Sequence, residues 1–239
     1  MDNTLIQGSS LILLAQGLFR KRFISLSELA PALWKQFRYR VSGSENAGDI
    51  AEGREQALAV VKGKSVAELK AACREIVDSR MLQKSYADTI ELASMHLAAG
   101  QQVWLVSATP VQIGQALAET LGFTGALGTV AEEDDGKFTG RLVGDILHGP
   151  GKKHAVAALA ALQQLDLSQC TAYSDSINDL PMLEMVGSPV AINPDRALRK
   201  HAKAQGWEIR DYRSVRRVVR LSTLPAAAVA GLWWWHRRR

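Results

Sequence analysis

Cys170-Thr171-Ala172-Tyr173-Ser174-Asp175-Ser176-Ile177-Asn178-Asp179-Leu180-Pro181-Met182-Leu183 decides how the rest of the chain is read. Its first four residues read as a short strand. The strand runs into a polar loop, Ser174–Asp179, whose two carboxylates stand four residues apart across a loop-to-helix junction. Leu180–Val186 then reads as a helix and Pro189–Ile192 as another short strand. Strands that alternate with helices in this way build a parallel, doubly wound sheet, which places its chemistry at the carboxyl ends of the strands.

Upstream the alternation continues. Gln102–Ser107 is a short apolar, β-prone run, and Pro110 follows at a place suited to helix initiation. Val111–Leu121 reads as a helix closed by Gly122. Ala126–Glu132 and Lys137–Leu142 read as strands around the turn Asp134-Asp135-Gly136, and His154–Leu165 as a helix. Residues 9–40 and 49–83 differ. There Leu11, Leu14, Leu18, Leu29, Leu33, Phe37, Leu58, Val61, Leu69 and Ile76 recur at three- and four-residue spacings. Val41–Gly48, with two Gly and two Ser, reads as the turn between two helical pairs. The expected fold is α/β: a Rossmann-like, doubly wound parallel sheet, with a small α-helical bundle over 10–82 and a tail over 212–239.

The composition is that of a globular chain, with 47% hydrophobic and 22% charged residues among 239. The net charge of +5 belongs to the tail. Seven of the 29 basic residues lie in 212–239, which holds no acid, leaving 22 Lys and Arg against 24 Asp and Glu in the body. The body shows no basic stripe and no aromatic stacking motif, so nucleic acid is not an expected partner. The opening Met1-Asp2 lacks the positive start of a signal peptide. Cys73 and Cys170 show no metal-ligand spacing and read as free thiols of a cytoplasmic protein.

Four polar clusters follow strand positions or open the chain. They are Met1-Asp2-Asn3-Thr4-Leu5, Val106-Ser107-Ala108-Thr109-Pro110, Gly149-Pro150-Gly151-Lys152-Lys153 and the Ser174–Asp179 loop. Hydroxyls at a helix start, a lysine and several carboxylates suit a phosphate and a hard cation. The helix end brings N–H donors and positive dipole, lysine a point charge, and Asp oxygens the ligands that Mg²⁺ prefers. Singly, each cluster has a plainer reading: a solvated lysine, a helix cap, carboxylates complementing a dipole, a polar terminal residue.

In their order and spacing the four clusters resemble the motifs of the haloacid dehalogenase (HAD) superfamily, in its phosphoserine-phosphatase-like branch with a helical cap after the first motif. The resemblance covers residues 1–211 and implies a core domain over 1–9 and 83–211 with the helical bundle over 10–82 inserted as its cap. It is strongest over Ser174–Leu183 and extends to Val190-Ala191-Ile192-Asn193-Pro194-Asp195. It implies a Mg²⁺-dependent phosphatase acting on a small phosphorylated metabolite through an aspartyl-phosphate. Asp2 matches the general acid/base, and its backbone carbonyl a metal ligand. Ser107 matches the residue that holds a phosphoryl oxygen, with Thr109 its helper. Thr4 and Asn178 join the phosphate-binding set. Lys152, preferred to Lys153 by register, matches the lysine that neutralises the phosphoryl group. Asp175 matches the direct metal ligand, and Asp179 a carboxylate acting on the metal in the second shell or through water.

One departure stands at the start. The family pattern is Asp-x-Asp-x-Thr. Asp2 and Thr4 match its last two members, so the nucleophile falls on the residue before Met1, and the apolar strand leading to it falls further upstream. The expectation is a start codon placed at an internal Met, with a degenerate pseudoenzyme, a binding or regulatory protein, as the alternative. A phosphotransferase using the same intermediate is a further reading. The branch also carries a Glu seven residues after its second Asp, for the ammonium of phosphoserine. Ser9 stands there, so free phosphoserine is expected to be a poor substrate. In the tail, Arg213, Arg216, Arg217 and Arg220 precede the apolar stretch Leu221–Trp235. Fifteen residues fall short of the ~20 that span a bilayer. The tryptophans and arginines suggest a peripheral membrane contact, with a tail packed on the core or left frayed as the plainer reading. Nothing in the sequence fixes the oligomeric state.

Overall fold

The computed structural model describes residues 1–25 and 58–213. After a polar loop, Ser9 caps α1 (Ser10–Arg20), its side chain accepting from the Ile12 N–H. Leu13, Leu14 and Leu18 form the buried stripe of α1. α2 (Val66–Ile76) is capped by Ser65 and passes without a break into a π-helical turn, Val77–Met81, whose end residues are fully buried. α1 and α2 meet at Gly17, where a Cβ would lie 2.4 Å from Cγ1 of Ile76. Burial pushes the Cys73 thiol of α2 up to about 12, which makes it an inert core residue. α3 (Ala87–Ala98) leads to the first strand.

β1 (Trp104–Pro110) pairs in parallel with β2 (Gly125–Thr129) through the crossover α4 (Val111–Leu121). α4 coincides with the helix expected from sequence, and Gly122 ends it at φ 69°, the left-handed conformation a C-terminal glycine adopts freely. The single strand expected over Ala126–Glu132 is two. β2 stops at Thr129, and β3 (Ala131–Asp134) turns to pair antiparallel with β4 (Lys137–Leu142). The two halves have different partners, β1 and β4, and Val130 between them is exposed. Asp135 and Gly136 link β3 to β4 with positive φ at both positions, the conformation a two-residue hairpin requires.

α5 (Pro150–Leu162) starts four residues before the helix expected at His154, because Pro150 sits in its first turn, where a missing N–H is harmless. β5 (Thr171–Ser174) follows, then a 3-10 turn over Ile177–Asp179 and a short α6 (Leu180–Leu183). β6 (Ser188–Ile192), α7 (Arg196–Gln205) and β7 (Glu208–Arg210) complete a parallel sheet in the order β5-β6-β7.

The described strands thus form two parallel sheets, β1-β2 and β5-β6-β7, each with its own core. Leu105, Ile113, Leu117 and Ala126 pack with α1 and α2 on one side, and Leu183, Ala191, Leu198 and Ala202 pack together on the other. Between β1 and β5 lies a cavity of about 530 Å³ lined by Met1, Leu105, Val106, Ala160, Ala172 and Tyr173, among others. In the described part of the stretch expected as a bundle, α1 and α2 share one hydrophobic core with α4. Leu29, Leu33, Phe37 and the turn Val41–Gly48 lie outside the described residues, as does the tail from 214 onward. No described helix is long and apolar enough to cross a membrane.

Candidate active site

One of the four polar clusters, Ser107 and Thr109, lies at the carboxyl end of β1, and the other three are bonded together at the carboxyl end of β5. The opening loop is pinned there from four directions. Thr89 Oγ1 donates to the Thr4 carbonyl at 2.8 Å, and the Tyr86 N–H donates to the Leu5 carbonyl at 2.8 Å. Asn193 Nδ2 donates to the Asn3 carbonyl at 2.8 Å, while the Asn193 Oδ1 accepts from the Tyr212 N–H. Thr4 Oγ1 donates to Asp175 Oδ1 at 3.1 Å, which joins the start of the chain to the loop after β5.

That second loop is held in its turn by Asp195. Its carboxylate caps α7 at the Leu198 N–H and accepts from the Ile177 N–H, and its own N–H donates to the Asp175 carbonyl. Asp179 is buried and accepts from Lys152 Nζ with both oxygens, at 2.7 and 2.9 Å, and from Ser174 Oγ at 2.7 Å. Lys152 is buried, whereas Lys153 is exposed on the same helix.

The Met1 nitrogen is buried where these groups meet. Burial and the nearby Lys152 hold its amine below the usual range, and Asp2, Asp175 and Asp179 oppose the shift. Burial raises Asp175 above the ordinary carboxylate range, against the pull of the Met1 amine, Thr4 and Asn3. Asp2, Thr4, Lys152, Asp175 and Asp179 are therefore one electrostatic cluster. Ser107 and Thr109 lie buried at the end of β1, with the Thr109 N–H and Oγ1 donating to Ser107 Oγ at 3.2 and 3.0 Å. Their bonds are to each other rather than to the carboxylates. Asn178 is exposed on the 3-10 turn, with its backbone N–H on Ser176 Oγ.

The sequence pattern of the haloacid dehalogenase-like hydrolase family matches residues 1–184. The chain belongs to that family. A Mycobacterium tuberculosis relative named phosphoserine phosphatase is 51% identical over 231 residues, covering 97% of this hydrolase and 75% of the relative. A Neisseria meningitidis histidinol-phosphatase is 30% identical, covering 89% of this hydrolase and 96% of its own length. A solved structure from Bordetella pertussis, of a protein of unknown function, superposes with a TM-score of 0.77 at 30% identity, over 88% of this hydrolase and 95% of that chain.

Among the described residues of this hydrolase no three His, Cys, Asp or Glu side chains form a ready-made metal cage. Mg²⁺ does not require one. It keeps several waters and takes one or two carboxylates together with substrate phosphate. Asp175, half-buried and costly to keep ionised without a neighbouring cation, fits that demand, and Asp2 stands in the same cluster. The Asp2 carbonyl accepts the Thr4 N–H at 2.6 Å and keeps a second lone pair. Both Asp179 oxygens are already engaged, by Lys152 and Ser174.

Sequence reading missed Ser10, Ser174, Asn193 and Asp195 as parts of the site. Asp195 was legible as a helix cap ahead of α7. Asn193 was legible as an Asn-Pro turn residue, and it sits at φ 48°, which Asn tolerates. Ser10 carried no local signal.

Proposed function

We propose that the chain is the body of a Mg²⁺-dependent phosphatase that hydrolyses a small phosphomonoester through an aspartyl-phosphate. The observation that carries this reading is the cluster of Asp2, Lys152, Asp175 and Asp179 around the Met1 nitrogen, with Lys152 and Asp179 buried and the other two half-buried. A carboxylate carried by a residue attached ahead of Met1 would enter that cluster, beside the lysine that offsets phosphoryl charge. Asp2 would protonate the leaving alcohol and later activate water. Ser107 and Thr109 would receive phosphoryl oxygens, with Thr4 and Asn178 at the edge of the phosphate site. Asp175 and the Asp2 carbonyl would hold Mg²⁺, oriented by Asp179. Bound there, the ion supplies Lewis-acid polarisation of the phosphoryl oxygens.

The test compares the 239-residue chain with one extended upstream through an apolar strand ending in Asp, and with the same extension ending in Asn. Phosphate release is followed over a panel of phosphomonoesters. Turnover is expected only in the Asp-ended form with Mg²⁺ present. Equal release by the Asp- and Asn-ended forms would remove the aspartyl-phosphate, and release that survives chelation would remove the metal. Binding of phosphate without turnover in every form would favour a non-catalytic module. Transfer to added alcohols would mark a phosphotransferase.

The substrate reading rests on Ser9, whose hydroxyl is committed to capping α1. It cannot pair with a desolvated ammonium as a carboxylate does. Phosphoserine is therefore proposed not to be the best substrate, although a relative bears that name. Ranking phosphoserine first by kcat/KM would overturn this.

A further inference from the structure

Ser10 is the first residue of α1 and is 0% exposed. Both of its donors converge on one atom. The Ser10 N–H donates to Asp2 Oδ1 at 3.1 Å, and the Ser10 hydroxyl donates to the same oxygen. Ser9, next to it, spends its own hydroxyl on the Ile12 N–H, so the two serines divide the work at this helix start. Nothing in helix geometry requires Ser10 to bury its hydroxyl. Capping is already done by Ser9.

The geometry points to Ser10 as a positioning residue for the acid/base carboxylate. This rests on the phosphatase reading above. A carboxylate can turn about its Cβ–Cγ bond and present either oxygen, in a broad well. Two donors on Oδ1 end that freedom. The oxygen that accepts both cannot also carry the acid's proton without losing a bond, so the proton rests on Oδ2. In the first step the upstream carboxylate bonds to phosphorus as the ester P–O bond breaks, and Oδ2–H passes its proton to the departing ester oxygen, so the alcohol leaves neutral. In the second step Oδ2 takes a proton from water as the water oxygen bonds to phosphorus and the aspartyl O–P bond breaks, which frees the carboxylate and inorganic phosphate. The proton returns to the same atom, and Ser10 holds Oδ1 through both steps without exchanging a proton.

The test uses leaving groups. An alkyl phosphate needs the acid, because an alkoxide is a poor leaving group. p-Nitrophenyl phosphate needs it far less, because nitrophenolate leaves unaided. Ser10→Ala removes one donor, keeps the backbone N–H and adds no volume. In the active, upstream-extended protein, Ser10→Ala is expected to lower kcat/KM for the alkyl ester about 10- to 100-fold, a part of the 10²–10⁴ that a placed acid supplies. The p-nitrophenyl ester should change by no more than about twofold. Ser10→Thr, which keeps a hydroxyl, should bring the ratio between the two esters back towards that of the parent. The ratio is taken within one sample, so loss of folded protein cancels. Equal falls for both esters, or an unchanged ratio, overturn the role given to Ser10 and leave the phosphatase reading intact. Failure of the parent to turn over either ester overturns both.

Discussion

At the scale of single residues the site is organised by one buried ion pair. Lys152 and Asp179 have side chains only 11% and 10% exposed, so each charge depends on the other and on Ser174 for compensation. Removing one partner of such a pair costs about 3–5 kcal/mol, because the other is left buried and uncompensated, while removing both is far milder. Lys152→Met and Asp179→Asn are therefore each expected to lower the urea midpoint strongly. The double variant should recover much of the loss, with a coupling of about 1–3 kcal/mol. Additive losses within about 0.5 kcal/mol would mean that the pair is not the anchor of this loop. The sequence allowed Lys152 to be preferred to Lys153 on register alone, and the structure supplies the physical difference, since Lys152 faces the cluster and Lys153 faces solvent. The partnership of Ser10 with Asp2 could not be read that way. It joins two loop ends through a turn whose shape depends on Thr89, Tyr86 and Asn193, residues ~80 to 190 positions away in the chain.

At the scale of elements the boundaries that local chemistry sets were legible, and those that a partner sets were not. Pro110 and Gly122 bracket α4 because proline and glycine act on their own backbone. The break between β2 and β3 has no such residue, and it follows from which strand each half meets. The packing of α1 on α2 is of the second kind, and it depends on Gly17. Glycine inside a helix normally costs about 0.5–1 kcal/mol against alanine. Here a Cβ would lie within 2.4 to 3.1 Å of three carbons of the buried Ile76 side chain. Overpacking of this sort costs typically about 1–3 kcal/mol and outweighs the gain in propensity. Gly17→Ala should thus lower the thermal midpoint, and Ile76→Ala combined with it should cost less than the two changes added. A Gly17→Ala variant more stable than its parent would mean that α1 and α2 do not pack this closely.

At the scale of the whole molecule the two parallel sheets have separate cores, and residues of both β1 and β5 line one cavity. A parallel sheet is ordinarily covered on both faces and paired along its interior edges, because unpaired backbone groups away from water are costly. Both sheets line the cavity, β1 with Leu105 and Val106 and β5 with Ala172 and Tyr173, and His96 Nε2 and the Tyr173 hydroxyl lie 2.7 Å apart at its lining. An extended apolar segment attached ahead of Met1 would run between these walls and hydrogen-bond to β1 and β5 at once. Each large side chain it buries would contribute about 1.5–3 kcal/mol, against a usual total of about 5–15 kcal/mol for a domain. A chain extended by such a segment should unfold at a clearly higher urea concentration. It should also show a larger denaturant slope, since more surface is exposed on unfolding, and should bind less of a hydrophobic dye in the folded state. The same segment with alternate residues changed to Asp should give none of the three gains. An extended chain with the midpoint, slope and dye binding of the 239-residue chain would mean that the space between the sheets closes on itself, and that the charge cluster at its rim is assembled without a central strand.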